Sequence, residues 1–172
     1  MSPGTISYRI VADRLGWIET MLADIQSLPL SSFETFTQEK RNVWAAESCL
    51  RRALEALLDA GRHIVAKGFG QGVSEYREIP EKLYECGVLG EEEAKLMKKM
   101  AGYRNRLVHF YHEVSTQELY EICTMKLNEL SALSASIKQW VKNHCTGQQI
   151  LGQIDSQIQA ASSNARVCCS LT

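Results

Sequence analysis

Proline, long apolar runs and an excess of charge are all scarce in this chain of 172 residues. Only three prolines occur, so little interrupts helix formation. No apolar run approaches the roughly 20 residues that are needed to cross a bilayer. The first residues, Met1 to Gly4, carry neither the charged nor the apolar region of a secretory leader. We therefore predict a cytoplasmic protein without a membrane segment.

The charge balance and the cysteines exclude two further classes of protein. A net charge of −1 is incompatible with a surface that attracts nucleic acid everywhere, although a local basic patch remains open. None of the six cysteines forms a CxxC pair with the spacing of a metal site. A disulfide framework does not suit a chain of this length and helical pattern. We expect free thiols that behave as small apolar residues in a reducing compartment.

Apolar residues recur at three- and four-residue steps, and no segment shows the alternation of a strand. This pattern predicts an all-α bundle of four to five main helices plus a short helix. Ser31 and Ser115 each stand three residues before a glutamate, which predicts a capping box at both serines. The predicted helices cover about residues 5–28, 37–67, 79–87, 91 to near His112, and 116–143. We divide the chain into a bundle, residues 1–146, and a polar tail, residues 147–172.

Glycines mark two places in the pattern. Gly61 lies inside the second long helix, where it costs about 1 kcal/mol against alanine or marks a close contact between helices. The run from Gly68 to Gly72 resembles a phosphate-binding loop only superficially, because a helix precedes it and no Lys-Ser/Thr pair follows. We interpret this run as a flexible turn that ends the helix.

The densest polar stretch of the chain runs from Tyr103 to His112. It holds two arginines, an asparagine, two histidines and two tyrosines within ten residues. On a helix, Asn105 and His109 lie one turn apart, and Arg104 and Tyr111 lie two turns apart on a neighbouring face. One edge of the predicted helix therefore carries a guanidinium, an amide, an imidazole and a phenol.

This set of groups suits attack on a phosphodiester. Imidazole exchanges protons near neutral pH, and a guanidinium stabilises the charge that develops on a phosphoryl group. RNA carries its own nucleophile, the 2′-hydroxyl, so the chemistry requires no metal. A general acid and a general base are both needed, which favours a two-fold dimer that supplies His109 twice. An asymmetric role for His112 would be the alternative.

Structural interpretations of the same residues stay open at this point. His109 could be a hydrogen-bonded core histidine, and the tyrosines could be packing aromatics with hydrated hydroxyls. Arg104 and Arg106 could pair with the glutamates at residues 91–93 or with the last long helix. His109 and His112 have the spacing of two zinc ligands, but no third ligand is evident nearby, and we predict no metal site.

The run from Arg104 to Tyr111 resembles the R-x4-H-x-Y signature of HepT-type HEPN ribonucleases, the toxins of type VII HEPN–MNT toxin–antitoxin systems. The resemblance extends over about residues 10–143. It includes Trp44-Ala45-Ala46-Glu47, Ala60-Gly61-Arg62-His63-Ile64, Gly87-Val88-Leu89 and Tyr120-Glu121-Ile122. It implies a helical bundle that forms a symmetric homodimer, with the motifs of both chains lining one cleft.

The resemblance also implies roles for individual residues. Arg104 and His109 would be catalytic and Asn105 would assist them, in a metal-independent endoribonuclease that cleaves mRNA or tRNA. Tyr111 corresponds to the tyrosine that the partner nucleotidyltransferase antitoxin modifies with AMP from ATP, so the chain itself needs no cofactor. From the same stretch we predict RNA contacts for three further residues, Tyr103, Arg106 and His112.

A second hypothesis belongs to another class of function. Some HEPN-like domains bind nucleotides or serve as helper subunits of a nucleotidyltransferase without catalysis. Arg104 and His109 would then hold a phosphate, and Tyr111 would be the residue that is modified or contacted. Cleavage of RNA by the isolated chain distinguishes the two hypotheses.

Overall fold

A computed structural model describes residues 6–109 and 114–144, and its regular elements over these residues are all helical. The α-helices are α1 Tyr8–Gln26, α2 Phe33–Thr37, α3 Lys40–His63, α4 Ile79–Glu85, α5 Glu91–His109, α6 Thr116–Glu121 and α7, residues 127–144. Two π turns extend helices, Ile64–Gly68 after α3 and Ile122–Lys126 between α6 and α7, and a 3-10 turn, Tyr76–Glu78, precedes α4. The predicted pattern of long helices with short ones between them is confirmed.

The N-cap that follows Pro29 lies one residue later than predicted. Ser32, not Ser31, is the N-cap of α2, and its hydroxyl accepts a hydrogen bond from the Thr35 N–H at 3.1 Å. Ser32 has extended backbone angles, φ −149° and ψ 160°, and Phe33 is the first helical residue. Glu34 is consequently the second helical residue, one position too early to close a capping box with Ser32.

The second long helix, predicted over residues 37–67, begins at Lys40, and the short helix α2 before it was not predicted. Thr37 belongs to α2, and Glu39 is extended, with φ −123° and ψ 122°, before α3 begins. The Asn42 side chain donates a hydrogen bond to the Phe36 carbonyl at 3.2 Å and stabilises the corner between the helices. The propensities of this segment allow a continuous helix, so the break depends on the burial of Phe36 in the core.

Helix α3 is the centre of the bundle. Its apolar face packs along α1, and it also contacts α4, α5 and α6. Burial of these side chains is the main source of stability, because isolated helices of this length are only marginally stable in water. Among the fully buried side chains are Leu15, Ile18, Ile25, Leu50, Leu54, Leu57, Leu58, Ile64, Leu83 and Met97.

Gly61 marks a close approach between α3 and α4. A Cβ built at this position would lie 2.8 Å from Ile79 Cγ2 and 3.0 Å from Leu83 Cδ1 of α4. The interpretation of Gly61 as a close helix contact is therefore confirmed. This contact sets α4, and the 3-10 turn before it, against the C-terminal half of α3.

The last long helix begins as predicted. Ser115 is the N-cap of α6, and its hydroxyl accepts from the Glu118 N–H at 3.1 Å. The π turn Ile122–Lys126 joins α6 to α7 and was not apparent from the sequence. Within the described residues no helix is long and apolar enough to cross a membrane. The polar tail, residues 147–172, lies outside the described residues, so the division of the chain at residue 146 stays a prediction.

The three cysteines of the described residues are free thiols, as predicted. Cys123 is buried, and desolvation raises the pKa of its thiol to about 12. Burial also raises the pKa of Cys49 and Cys86. All three therefore stay protonated near neutral pH and pack as apolar groups.

Candidate functional site

Helix α5 carries the predicted motif and is helical as far as His109, its last residue. Arg104 and Asn105 are thus positioned about one helical turn before His109 on the same element. Leu107 is buried and anchors this part of α5 to the core. The side chain of His109, together with Tyr111 and His112, lies outside the part of the chain that the structure describes.

The guanidinium of Arg104 is held by groups from three elements. Its side chain is only 15% exposed, and Arg104 Nη2 lies 3.3 Å from Glu55 Oε1 of α3. Arg104 Nη1 donates to Asn105 Oδ1 at 3.4 Å, so the two predicted site residues contact each other. The guanidinium carbon lies 4.5 Å from the centroid of the Tyr76 ring, which belongs to the 3-10 turn.

Glu55 connects Arg104 to a second arginine. Its carboxylate pairs with Arg51 Nη1 at 3.2 Å, one turn earlier on α3. The Glu55 side chain is 27% exposed, so its pairs with both arginines are only partly screened by water. A carboxylate that two guanidiniums share restricts the rotamers of Arg104.

Two guanidiniums lie over the ring of Tyr76. The guanidinium carbon of Arg62 is 4.4 Å from the ring centroid, nearly the distance found for Arg104. The Tyr76 hydroxyl donates to Asp59 Oδ1 at 3.0 Å. Desolvation and the hydrogen bond to Asp59 raise the pKa of this phenol, so it remains a neutral donor. The ring is therefore fixed at both its face and its hydroxyl.

Three arginines near this site have buried nitrogens without a hydrogen-bond partner among the described residues. They are Arg104 Nε on α5, Arg62 Nε on α3 and Arg14 Nη1 on α1. Buried donors are normally paired, because an unpaired donor retains the cost of its desolvation. Each of these guanidiniums therefore keeps one desolvated donor that the described residues do not satisfy.

Tyr103 and Arg106 lie on another side of α5. Arg106 forms a bidentate ion pair with Glu118 of α6, with Nη1–Oε1 at 2.8 Å and Nη2–Oε2 at 2.6 Å. The Tyr103 ring has Arg106 on one side at 5.8 Å and Lys126 of the π turn at 5.9 Å. The interpretation that Arg106 pairs with the last long helix is confirmed. The structure does not bring these two residues to Arg104, and their contacts with RNA stay a prediction.

Sequence reasoning did not identify the residues of α3 and the 3-10 turn that surround Arg104. Arg51, Glu55 and Asp59 follow each other at four-residue steps, and this charged row along α3 was the signal available. Nothing in the sequence distinguished Tyr76 from other tyrosines. The contact between Tyr76 and Arg104 depends on how the 3-10 turn folds back onto α3 and α5.

The comparisons with known proteins agree with this architecture. The family model described as Ribonuclease HepT-like matches residues 18–137. The chain belongs to the HepT-like ribonuclease family. This assignment confirms the resemblance that the motif on α5 carries, and no curated protein matches the chain at a significant level.

Solved structures with the same fold include those of two bacterial proteins. One is a tri-AMPylated HEPN toxin of Shewanella oneidensis in complex with an MNT antitoxin, with 22% identity and a TM-score of 0.68; the match covers 76% of this chain and 97% of that one. The other is YutE of Bacillus subtilis, a cytosolic protein of unknown function, with 23% identity and a TM-score of 0.68, covering 81% and 94%. At these identities the likeness shows the fold, and it confirms the predicted HEPN-type bundle.

Proposed function

We propose that this HepT-like chain is the toxin of a type VII HEPN–MNT toxin–antitoxin system and a metal-independent endoribonuclease acting on mRNA or tRNA. The observation that carries the proposal is the surrounding of Arg104. A guanidinium on the same helix as His109 is held by Glu55 and Tyr76, and its Nε is left without a partner. A pre-oriented guanidinium five residues before a histidine suits phosphodiester chemistry in a family of ribonucleases.

The reaction needs only groups of the chain and of RNA. A general base removes the proton of a 2′-hydroxyl, whose oxygen attacks the adjacent phosphorus. The bond from phosphorus to the 5′-oxygen breaks, and a general acid protonates that oxygen as it leaves. Arg104 neutralises the charge that develops on the non-bridging oxygens. We assign the proton transfers to His109 and the orientation of the site to Asn105.

A site in which His109 acts as both acid and base requires two copies of the chain. In this proposal a symmetric homodimer places the two α5 helices along one cleft, so that each chain supplies one His109. The dimer gives one composite site for each pair of chains. The location in the cytoplasm, where the cellular RNA is found, is part of the same proposal.

The proposal includes silencing by adenylation. An MNT-type nucleotidyltransferase antitoxin would transfer AMP from ATP to the hydroxyl of Tyr111, with release of pyrophosphate. The solved structure of the Shewanella toxin is described as tri-AMPylated and in complex with its MNT antitoxin. An adenylate on Tyr111 would add phosphate charge and bulk two residues after His109, and we propose that it excludes RNA.

Single substitutions of the two motif residues test the ribonuclease. We expect His109→Ala and Arg104→Ala each to lower RNA cleavage by at least about 100-fold, because general acid–base catalysis contributes about 10²–10⁴-fold and loss of a charge-stabilising donor costs about 10²–10³-fold. Cleavage of a labelled RNA by purified protein in EDTA is the measurement, with circular dichroism to verify the fold. His144→Ala and Arg41→Ala are the matched controls, since both side chains lie on other helices.

Two results would contradict the proposal. Cleavage at the wild-type rate by His109→Ala would remove the histidine from the mechanism. If the unmodified, partner-free wild type cut no RNA in EDTA but bound nucleotides, the non-catalytic interpretation would be supported instead.

Mass spectrometry tests the modification. After co-expression with a neighbouring nucleotidyltransferase, the peptide that contains Tyr111 should gain the mass of one or more AMP groups. Tyr111→Phe should stay unmodified and should remain toxic in the presence of the antitoxin. Tyr84→Phe, which changes an exposed tyrosine of α4, is the control and should be modified like the wild type. Modification of the Tyr111→Phe chain would place the acceptor elsewhere.

A further inference from the structure

Two guanidiniums form cation–π contacts with the same ring, that of Tyr76. The guanidinium carbons of Arg62 and Arg104 lie 4.4 Å and 4.5 Å from the ring centroid. They are therefore at most about 9 Å apart, wherever on the ring each one sits. The position of the ring is restrained, because its hydroxyl donates a hydrogen bond to Asp59 of α3 at 3.0 Å.

The two arginines differ in what balances their charge. Arg104 is paired with Glu55 at 3.3 Å. Arg62 has no ion pair with a carboxylate in residues 6–109 and 114–144, and its Nε is buried without a partner. Asp59, one turn before Arg62 on α3, accepts the hydrogen bond of Tyr76. Two cations held this close repel each other, and an anion that contacts both of them relieves the repulsion.

We infer that Arg62 is a second phosphate-binding residue of the RNA site, positioned beside Arg104 by Tyr76 and Asp59. This inference rests on the proposed ribonuclease function, because it takes Arg104 to contact the phosphate that is cleaved. The guanidinium carbons of Arg62 and Arg104 are at most about 9 Å apart. When one phosphate of an RNA strand contacts Arg104, the next phosphate is therefore close enough to contact Arg62. The bound strand then runs from α5 towards the C-terminal end of α3.

A guanidinium suits this position better than an ammonium does. It stacks on an aromatic ring and still presents donors at its edge to two phosphate oxygens. Tyr76 acts through the arginines as a positioning residue, and it keeps both guanidiniums in place before RNA arrives. A lysine at position 62 would retain the charge but lose both the stacking and the paired donors.

The salt dependence of RNA binding tests the inference, since each phosphate contact adds about 0.7 to the slope of log Kd against log salt for a single strand. The probe is a short single-stranded RNA, and the protein is the full chain carrying His109→Ala, which binds without cleaving. Adding Arg62→Gln should lower the slope by about 0.7. Arg62→Lys should retain the slope, while Arg41→Gln, on an exposed side chain near the start of the same helix, should leave it unchanged.

Steady-state cleavage in the background with His109 intact gives the second measurement. Arg62→Gln should raise KM for RNA and change kcat by less than about twofold, because a remote phosphate contact contributes mainly uniform binding. Tyr76→Leu should shift KM in the same direction with a smaller change of the salt slope, because the charge of Arg62 remains.

The outcomes separate this inference from the proposed function. If wild type cleaves RNA and Arg62→Gln matches Arg41→Gln in both slope and KM, the inference is wrong and the ribonuclease stands. If wild type binds RNA without cleaving it and Arg62→Gln still lowers the slope, the phosphate contact is supported and the ribonuclease is wrong. If neither wild type nor Arg62→Gln bound RNA, the inference and the proposed ribonuclease function would both be wrong.

Discussion

Two arginines two positions apart on α5 have opposite surroundings. Arg104 faces α3, where Glu55 and Tyr76 hold it while its Nε stays without a partner. Arg106 faces α6 and has a bidentate carboxylate partner, Glu118. A guanidinium with paired donors stabilises the native state, whereas Arg104 keeps one buried donor without a partner. The direction each residue takes from the helix thus separates a structural arginine from a candidate catalytic one.

The pair between Arg106 and Glu118 should contribute to stability in a pH-dependent way. The hydrogen bonds from Arg106 lower the pKa of Glu118 from its ordinary value of 4.5. A carboxyl group with a depressed folded-state pKa stabilises fully above pH 4.5, and that contribution is lost as the pH falls through the folded-state value. Glu118→Gln should therefore cost about 1 kcal/mol at pH 7, because partly exposed pairs contribute modestly.

Urea unfolding of wild type and Glu118→Gln at pH 7 and at pH 3 measures this difference, which should shrink in acid. Glu121→Gln, an exposed neighbour on α6, is the control and should stay within about 0.5 kcal/mol of wild type. A difference that persists unchanged at pH 3 would show that the ion pair is not its source.

His63 should make the stability of the chain sensitive to pH near neutrality. Its Nε2 accepts a hydrogen bond from the Ser7 N–H at 3.3 Å, which requires the neutral ring. Desolvation, with the charges of Arg14 and Lys67, lowers the pKa of His63 below 6.5. The stabilisation is then present above pH 6.5 and is lost as the pH falls through the folded-state pKa.

Thermal unfolding at pH 7.5, 6.5 and 5.5 should show a steeper loss of Tm for wild type than for His63→Gln. The glutamine stays neutral and retains an acceptor for Ser7. His144→Gln, which removes an exposed imidazole, should follow the wild type. Parallel curves for wild type and His63→Gln would contradict this assignment.

Among the helices, the spacing between α3 and α4 depends on Gly61. A methyl group there would meet Ile79 Cγ2, Leu83 Cδ1 and Met97 Cε at 2.8–3.2 Å. The helix-propensity gain of Gly61→Ala, about 1 kcal/mol, is opposed by an overpacking cost of about 1–3 kcal/mol. We expect the variant to be less stable than wild type by up to about 2 kcal/mol.

Gly16→Ala is the matched substitution, because Gly16 lies inside α1 and a Cβ added there would have no neighbouring atom within 4 Å. It should stabilise the chain by about 0.4–1 kcal/mol. Chemical unfolding of both variants under one set of conditions measures the contrast. If Gly61→Ala proved as stabilising as Gly16→Ala, α4 would not be packed as tightly against α3 as the structure shows.

For the whole molecule, the proposed dimer makes activity depend on both chains. If one site needs His109 from each protomer, mixing wild type with the His109→Ala chain should lower activity as the square of the wild-type fraction. A site that one chain completes would give a linear decrease instead. The measurement is RNA cleavage after subunit exchange at constant total protein, with His144→Ala as the added chain in the control mixture.

The sequence by itself determined the class of fold and the position of the motif. Apolar periodicity, the serine cap at Ser115 and the glycine at Gly61 are local signals, and each predicted a feature that the helices show. The run from Arg104 to Tyr111 carried the family resemblance, and the family model confirms it. Local signals were weakest where they compete: the N-cap is Ser32 and not Ser31, and the unpredicted helix α2 precedes a long helix that begins at Lys40 and not near residue 37.

Only the tertiary structure decided what surrounds Arg104. Glu55 is 49 residues away from it in the chain, and Tyr76 lies in a short 3-10 turn that no periodicity predicts. Packing of α4 on α3 through Gly61 brings that turn beside α5, where the Tyr76 ring lies against Arg62 and Arg104. Long-range contacts of this kind depend on how whole helices pack against one another. The linear sequence therefore indicates the motif, whereas the packing of the helices determines which residues surround Arg104.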